Sequence, residues 1–124
     1  MTKTEKKKLT LAELIDKKEQ YLVKKEGTEE LYLEQLNATV TIVQPDRQTV
    51  LDAFESESDE YLVYSMVTEP DLKDKDLQKA YGCAEPIDIV TKIFDPGTVA
   101  GIAKAGLKLA GFESNVTVVK NLKN

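Results

Sequence analysis

The chain has 124 residues, 41% of them hydrophobic and 31% charged, with a net charge of −5. That balance excludes a disordered polymer and predicts a single domain, residues 1–124, burying about two thirds of the surface its unfolded form exposes. Charge is unevenly placed: residues 1–26 hold eight lysines against five acids, and residues 27–124 hold nine basic against seventeen acidic groups.

The acidic body repels phosphate backbones, which argues against a nucleic-acid partner. The lysine-rich start suits an acidic partner or simply solvent. Cys83 is the single cysteine, so no internal disulfide is expected. The N-terminal "MTKTEKKKLTLAELIDKK" lacks the apolar run of a secretory signal. No stretch reaches the roughly 18 apolar residues of a membrane span, since Lys104 and Lys108 interrupt the best candidate. A cytoplasmic protein with no membrane contact is expected, and the sequons at Asn37 and Asn115 then carry no modification.

In chain order, residues 1–8 are expected to be flexible. Thr10 and Glu13 form a capping-box pair with Leu9 as the staple residue before them. The pair predicts a helix running to about Glu26 and stopped by Gly27. Its apolar positions are Leu11, Leu14, Ile15, Tyr21, Leu22 and Val23, and Asp16 to Gln20 are wholly polar. A stripe broken in this way gains little packing energy at its centre and suits a helix lying partly off the domain.

"EELYLEQL" and "ATVTIVQ" alternate apolar and polar residues and predict a hairpin turning at about Asn37-Ala38. A lone hairpin is marginal, so it must lie on the helices that follow. Pro45-Asp46 opens the helix "DRQTVLDAFES", with Val50, Leu51 and Phe54 on one side. "ESESDE" is an acidic break. "YLVYSMVT" suits a buried strand or helix; Asp59 and Glu60 at its start and Pro70 beyond its end favour a helix.

"DKDLQKAYG" is a short helix capped by Asp74 and terminated by Gly82. Pro86 opens another over residues 86–94, with Ile87, Val90 and Phe94 on one face. Asp95 caps the last helix, with Pro96 at its first position and Gly111 at its end. Val99, Ile102, Ala103, Gly106, Leu107 and Ala110 follow at helical spacing. Ala100, Ala103, Ala105 and Gly106 are small enough to let another backbone approach. Residues 112–124, "FESNVTVVKNLKN" after Gly111, are expected to be flexible apart from a β-prone "VTVV". The fold class expected is α+β, mainly short α-helices with one small hairpin near the N-terminus.

Catalytic vocabulary is sparse. The chain has no histidine, which removes a Ser-His-Asp triad, a Cys-His dyad and histidine metal ligands. Cys83 reads as a small residue beside a helix end. Gly101 and Gly106 have the spacing of P-loop glycines, but Leu107 and Lys108 stand where Lys and Ser/Thr are needed, and the segment reads as helix interior. Asp74, Asp76, Gln78 and Glu85 match calcium-loop positions, yet Lys79 replaces the required glycine. "ESESDE" reads as a solvated loop rather than a cation site. Neither a catalytic residue, a cofactor site nor a metal site is assigned.

The strongest pattern lies in three runs, "LTLAELIDKK", "VTEPDLKDKDLQKAYGCAEPIDIVTKIFDPG" and "AGIAKAGLKLAGF". Their order resembles the XkdN-like tail assembly chaperones of phages and prophages of Gram-positive bacteria, over nearly the whole chain. The likeness rests on ordinary structural residues in a long, ordered run. It implies a non-enzymatic protein of the bacterial host cytoplasm that binds the phage tape measure protein, keeps it soluble, helps recruit tail tube subunits and departs before the tail is complete. Self-association into a homo-oligomer suits a coat of many copies on a long partner. Related tail chaperones in other phages are often made in two lengths by frameshifting. Leu122-Lys123-Asn124 is compatible with a slippery A-AAA-AAC, although coincidence is the simpler reading for such common residues.

The apolar residues offered to a partner are Leu11, Leu14, Ile15 and Leu22 in the first helix, and Phe112, Val116, Val118, Val119 and Leu122 in the tail. Against this, the first group would simply pack on its own domain, and the second would add a strand to the hairpin edge. The rival function is a structural subunit retained in the finished tail. A small metal- or nucleotide-dependent enzyme is a third reading, with no sequence feature behind it.

Overall fold

The computed structural model describes residues 7–23, 27–112 and 116–119. Of the segments expected to be flexible, residues 1–6, 113–115 and 120–124, with the tail candidate Leu122, lie outside these, as does the predicted helix end at residues 24–26. The described elements are α1 Leu11–Asp16, α2 Lys18–Tyr21, β1 Thr28–Leu33, β2 Ala38–Val43, α3 Arg47–Ser56, α4 Asp59–Met66, β3 Val67–Glu69, α5 Lys75–Ala80, α6 Asp88–Ile93 and α7 Pro96–Leu109. This is an α+β architecture.

The helix expected from Thr10 to about Glu26 is two short pieces. Thr10 caps α1 by accepting the Glu13 N–H, and the helix breaks at Lys17 (φ −113°, ψ 40°), inside the polar run Asp16–Gln20. α2 ends at Tyr21, and Leu22 is already extended. No residue of either helix is buried, so neither gains tertiary packing to carry it through the polar turn.

The hairpin forms as the alternation predicts, with Leu31 opposite Val40 and Leu33 opposite Ala38. Residues 34–37 make the turn, and Asn37 adopts a left-handed conformation (φ 51°) that asparagine tolerates better than most side chains. Leu33, Val40 and Ile42 face the core. A third strand was not anticipated. The chain leaves α4 at Val67 and pairs antiparallel with β2, Ile42 opposite Val67 and Thr41 opposite Glu69, with a register irregularity between them. The sheet order is β1-β2-β3, so β1 and β3 are both edge strands.

Five helix starts carry side-chain caps: Thr10, Asp46, Ser58, Asp74 and Asp95 each accept the N–H three residues on. Hydrogen bonds from the Thr98 side chain and backbone hold the Asp95 carboxyl below its ordinary value, and the Thr49 backbone N–H does the same for Asp46. Gly82 and Gly111 end their helices at positive φ (66° and 80°), as the punctuation predicts.

The core joins the inner sheet face to α3, α4, α6 and α7, with Ile42, Val50, Leu62, Val63, Met66, Leu72, Ile89, Val90 and Ile102 essentially closed to solvent. α4 packs on α7 at Gly106, where an added Cβ would lie 1.9 Å from Met66 Sδ. The small residue was expected to admit a backbone; it admits a methionine side chain. Two faces also differ from expectation. In α3, Val50 and Ala53 are buried, and Leu51 and Phe54 are about half exposed. In α6, Ile89 and Val90 are closed to solvent with Phe94 beside them, and Ile87 sits before the helix, only partly buried. Val90 and Phe94 are therefore buried as expected, with Ile89 in place of Ile87, and in α3 Ala53 takes the place expected of Phe54.

Gln35 in the hairpin turn ties two distant parts of the chain together. Its Nε2 donates to the Ile93 carbonyl (3.1 Å) and its Oε1 accepts from the Asp95 N–H (3.0 Å). The junction between α6 and α7 is thereby fixed to the sheet.

Candidate partner-binding surface

The acidic and glycine motifs weighed in the sequence have structural roles. The acidic "ESESDE" is punctuation: Glu57 takes a left-handed conformation that ends α3, Ser58 caps α4, and Asp59 and Glu60 lie in its first turn. Asp74 caps α5 through the Leu77 N–H (2.9 Å), and Gln78 within α5 donates to the Leu72 carbonyl, so no calcium loop forms there. Gly101 and Gly106 are inside α7. Among the described residues no group of three or more His, Cys, Asp or Glu could hold a metal ion. No described helix is long and apolar enough to cross a membrane.

Exposed apolar side chains are the feature that remains, at the two places the sequence singles out. In the N-terminal segment Leu11 is 74% exposed, and Leu14, Ile15 and Leu22 are exposed beside it. None of them is buried. The cap at Thr10 and an ion pair from Lys7 to Glu13 (2.8 Å) hold the first turn. The Lys7 hydrogen bond keeps the Glu13 carboxyl below its ordinary value. Both interactions are local, and α1 uses its apolar residues for nothing within the described chain that buries them.

At the other end, Phe112 is 38% exposed and meets Phe54 edge to face, ring centroids 6.0 Å apart. Residues 116–119 form no strand, so the alternative of a strand added to the hairpin edge is not seen. Val116, Val118 and Val119 are exposed, Val116 at 83%. Leu122 lies outside the described residues.

Of the residues offered to a partner, Phe112 reaches a groove that the N-terminal segment also borders. A groove of about 580 Å³ is lined by Val23 from the N-terminal segment, by Pro45, Arg47 and Gln48 from the start of α3, and by Ala110 and Phe112. Gly27 anchors the near end: its carbonyl accepts the Gln44 N–H (2.8 Å), and a Cβ there would touch Gln44 and Leu109. Val23 and Phe112 thus share a surface. Leu11, Leu14 and Ile15 lie in α1 and do not line it.

Sequence reasoning put Leu51 and Phe54 on one side of α3 and missed that both are about half exposed, Phe54 against Phe112. Phe54 and Phe112 lie 58 positions apart, and no local pattern joins them. An aromatic one residue off a helix's core face, next to a small residue, was the available signal. The shifted carboxyls beside these residues, Glu13 in α1 and Asp46 at the groove, are both lowered by hydrogen bonds, Glu13 by Lys7 and Asp46 by the Thr49 backbone N–H at the start of α3.

The family model for the phage XkdN-like tail assembly chaperone protein, TAC, matches residues 1–123. No curated protein and no solved structure matches the chain. With nearly every residue inside that match, the chain belongs to the phage XkdN-like tail assembly chaperone family.

Proposed function

We propose that the protein is a non-enzymatic chaperone that binds the phage tape measure protein in the cytoplasm of the host and helps recruit tail tube subunits around it. The observation that carries this reading is the exposure of Leu11, Leu14, Ile15 and Leu22 on a segment with no buried residue. Contiguous exposed apolar surface on a small protein marks an interaction site. Burying one such side chain contributes about 1.5–3 kcal/mol, so a few contacts per copy bind weakly and release readily. Many copies along one long partner then hold it through avidity. That is the behaviour required of a coat that must later leave.

Co-expression with the cognate tape measure protein tests the proposal. A soluble complex should form with the wild type and be lost with the double variant Leu11→Ser, Ile15→Ser at unchanged chaperone folding. A tape measure protein that stays insoluble with the wild type, with no complex isolated, overturns it. Mass spectrometry of purified virions separates the rival: a retained structural subunit is found in them, and a chaperone is not.

A further inference from the structure

We propose that copies of this chain associate by strand addition, Val116–Val119 of one copy pairing with the open edge of β1 in another, within the groove between β1 and α7. This inference stands apart from the tape measure reading and needs no other protein.

The acceptor is set by the sheet. β1 is an edge strand. The Gln44 N–H donates to the Gly27 carbonyl, so those residues form a hydrogen-bonded pair of the antiparallel ladder. Carrying that phase along the register, Glu29, Leu31 and Leu33 direct their backbone groups at β2. Thr28, Glu30 and Tyr32 direct theirs at the open edge. Alongside that edge runs a groove of about 690 Å³, with Leu31 and Leu33 on the strand side and Gly97, Gly101 and Ala105 on the helix side. A Cβ built on Gly101 would meet nothing within 4 Å. The helix wall is therefore low where an incoming strand's side chains would lie.

The donor is set by the tail. "VTVV" is β-branched throughout, and strands favour such residues. In this chain it pairs with no strand and its valines are exposed, Val118 at 77%. Charge chooses the second copy's tail over other edges. Residues 116–124 contain Lys120 and Lys123 and no acid, whereas Glu30, Glu34 and Asp95 border the groove. Those same acids disfavour pairing of one β1 with another. Backbone hydrogen bonds supply affinity in such augmentation, and the pocket beside the edge supplies selectivity. Because donor and acceptor differ, the contact is heterologous and repeats head to tail, unless two chains exchange tails reciprocally.

Sedimentation of the full-length protein over a wide concentration range tests this, with amide exchange as the site-specific readout. The wild type should gain mass with concentration, and the Thr28, Glu30 and Tyr32 amides should become protected as it does. Gly101→Leu fills the groove, and Val118→Asp with Val119→Asp spoils the tail. Both change exposed positions, so thermal unfolding should stay within a few degrees of the wild type or rise. Each variant alone should weaken association by about tenfold or more. Mixed in equal amounts, the intact tail of the first should enter the intact groove of the second, and growth should stop at a dimer. A wild type monomeric throughout overturns the proposal, including one whose edge amides are already protected by its own tail. So does a variant that associates like the wild type, or a mixture no heavier than its components.

Discussion

The helix Pro96–Leu109 and the helical segment Leu11–Tyr21 both begin with a well-made cap, Asp95 in one and Thr10 in the other. Both carry apolar residues at helical spacing. The first runs 14 residues without interruption and buries Val99, Ile102, Ala103 and Gly106; the second breaks at Lys17 and buries nothing. Caps start helices, but continuous tertiary packing sustains them. The segment denied packing inside the chain is the one left with apolar side chains to offer outside it.

The largest test of this contrast is Leu62→Ala in α4. Leu62 is 1% exposed, and truncation should cost about 2–5 kcal/mol in denaturant unfolding through lost burial and a residual cavity. A loss near zero would mean that the sheet and helices do not share a tight core. A sharper test sits within one helix. Gly106→Ala drives a Cβ into buried Met66 and should incur about 1–3 kcal/mol of overpacking against about 1 kcal/mol of recovered helix propensity, a net loss. Gly101→Ala meets open space and should stabilise by about 0.5–1 kcal/mol. Equal signs at the two glycines would refute the packing of α4 on α7.

Ser58→Ala removes the cap of α4 and should cost about 1 kcal/mol. The aspartate caps add a pH signature. Asp95 and Asp46 titrate below their ordinary value of 3.8, so their contribution is complete above that value and is lost as pH falls through the lower folded values. Stability should therefore decline on acidification below about pH 4, and Asp95→Asn, which retains a capping oxygen, should make that decline shallower. The smallest expected effect is at the other end of the comparison. Leu11→Ser with Ile15→Ser should alter stability by less than about 0.5 kcal/mol, because both side chains are exposed. A large loss there would show that α1 packs on the body in solution.

Much of this was legible in the sequence. Asp46, Asp74, Asp95, Gly82 and Gly111 mark element ends through interactions spanning three to five residues, and all stand where the punctuation placed them. Alternation gave the hairpin its inward Leu33, Val40 and Ile42. The candidate surface was legible as a list of residues, because a stripe broken by Asp16–Gln20 is a local fact. Its completion by Phe54, and the groove shared by Val23 and Phe112, were not.

The sequence by itself determined the capped starts at Thr10, Asp46, Asp74 and Asp95, the glycine stops at Gly82 and Gly111 and the hairpin, since capping, turn geometry and periodicity act between near neighbours. Tertiary structure alone decided that Val67 leaves a helix to pair with Ile42, that Ala53 rather than Phe54 faces inward, and that Gln35 clamps the start of α7. Each of those depends on which distant surface arrives opposite a residue, and burial and hydrogen bonding are settled only when it does.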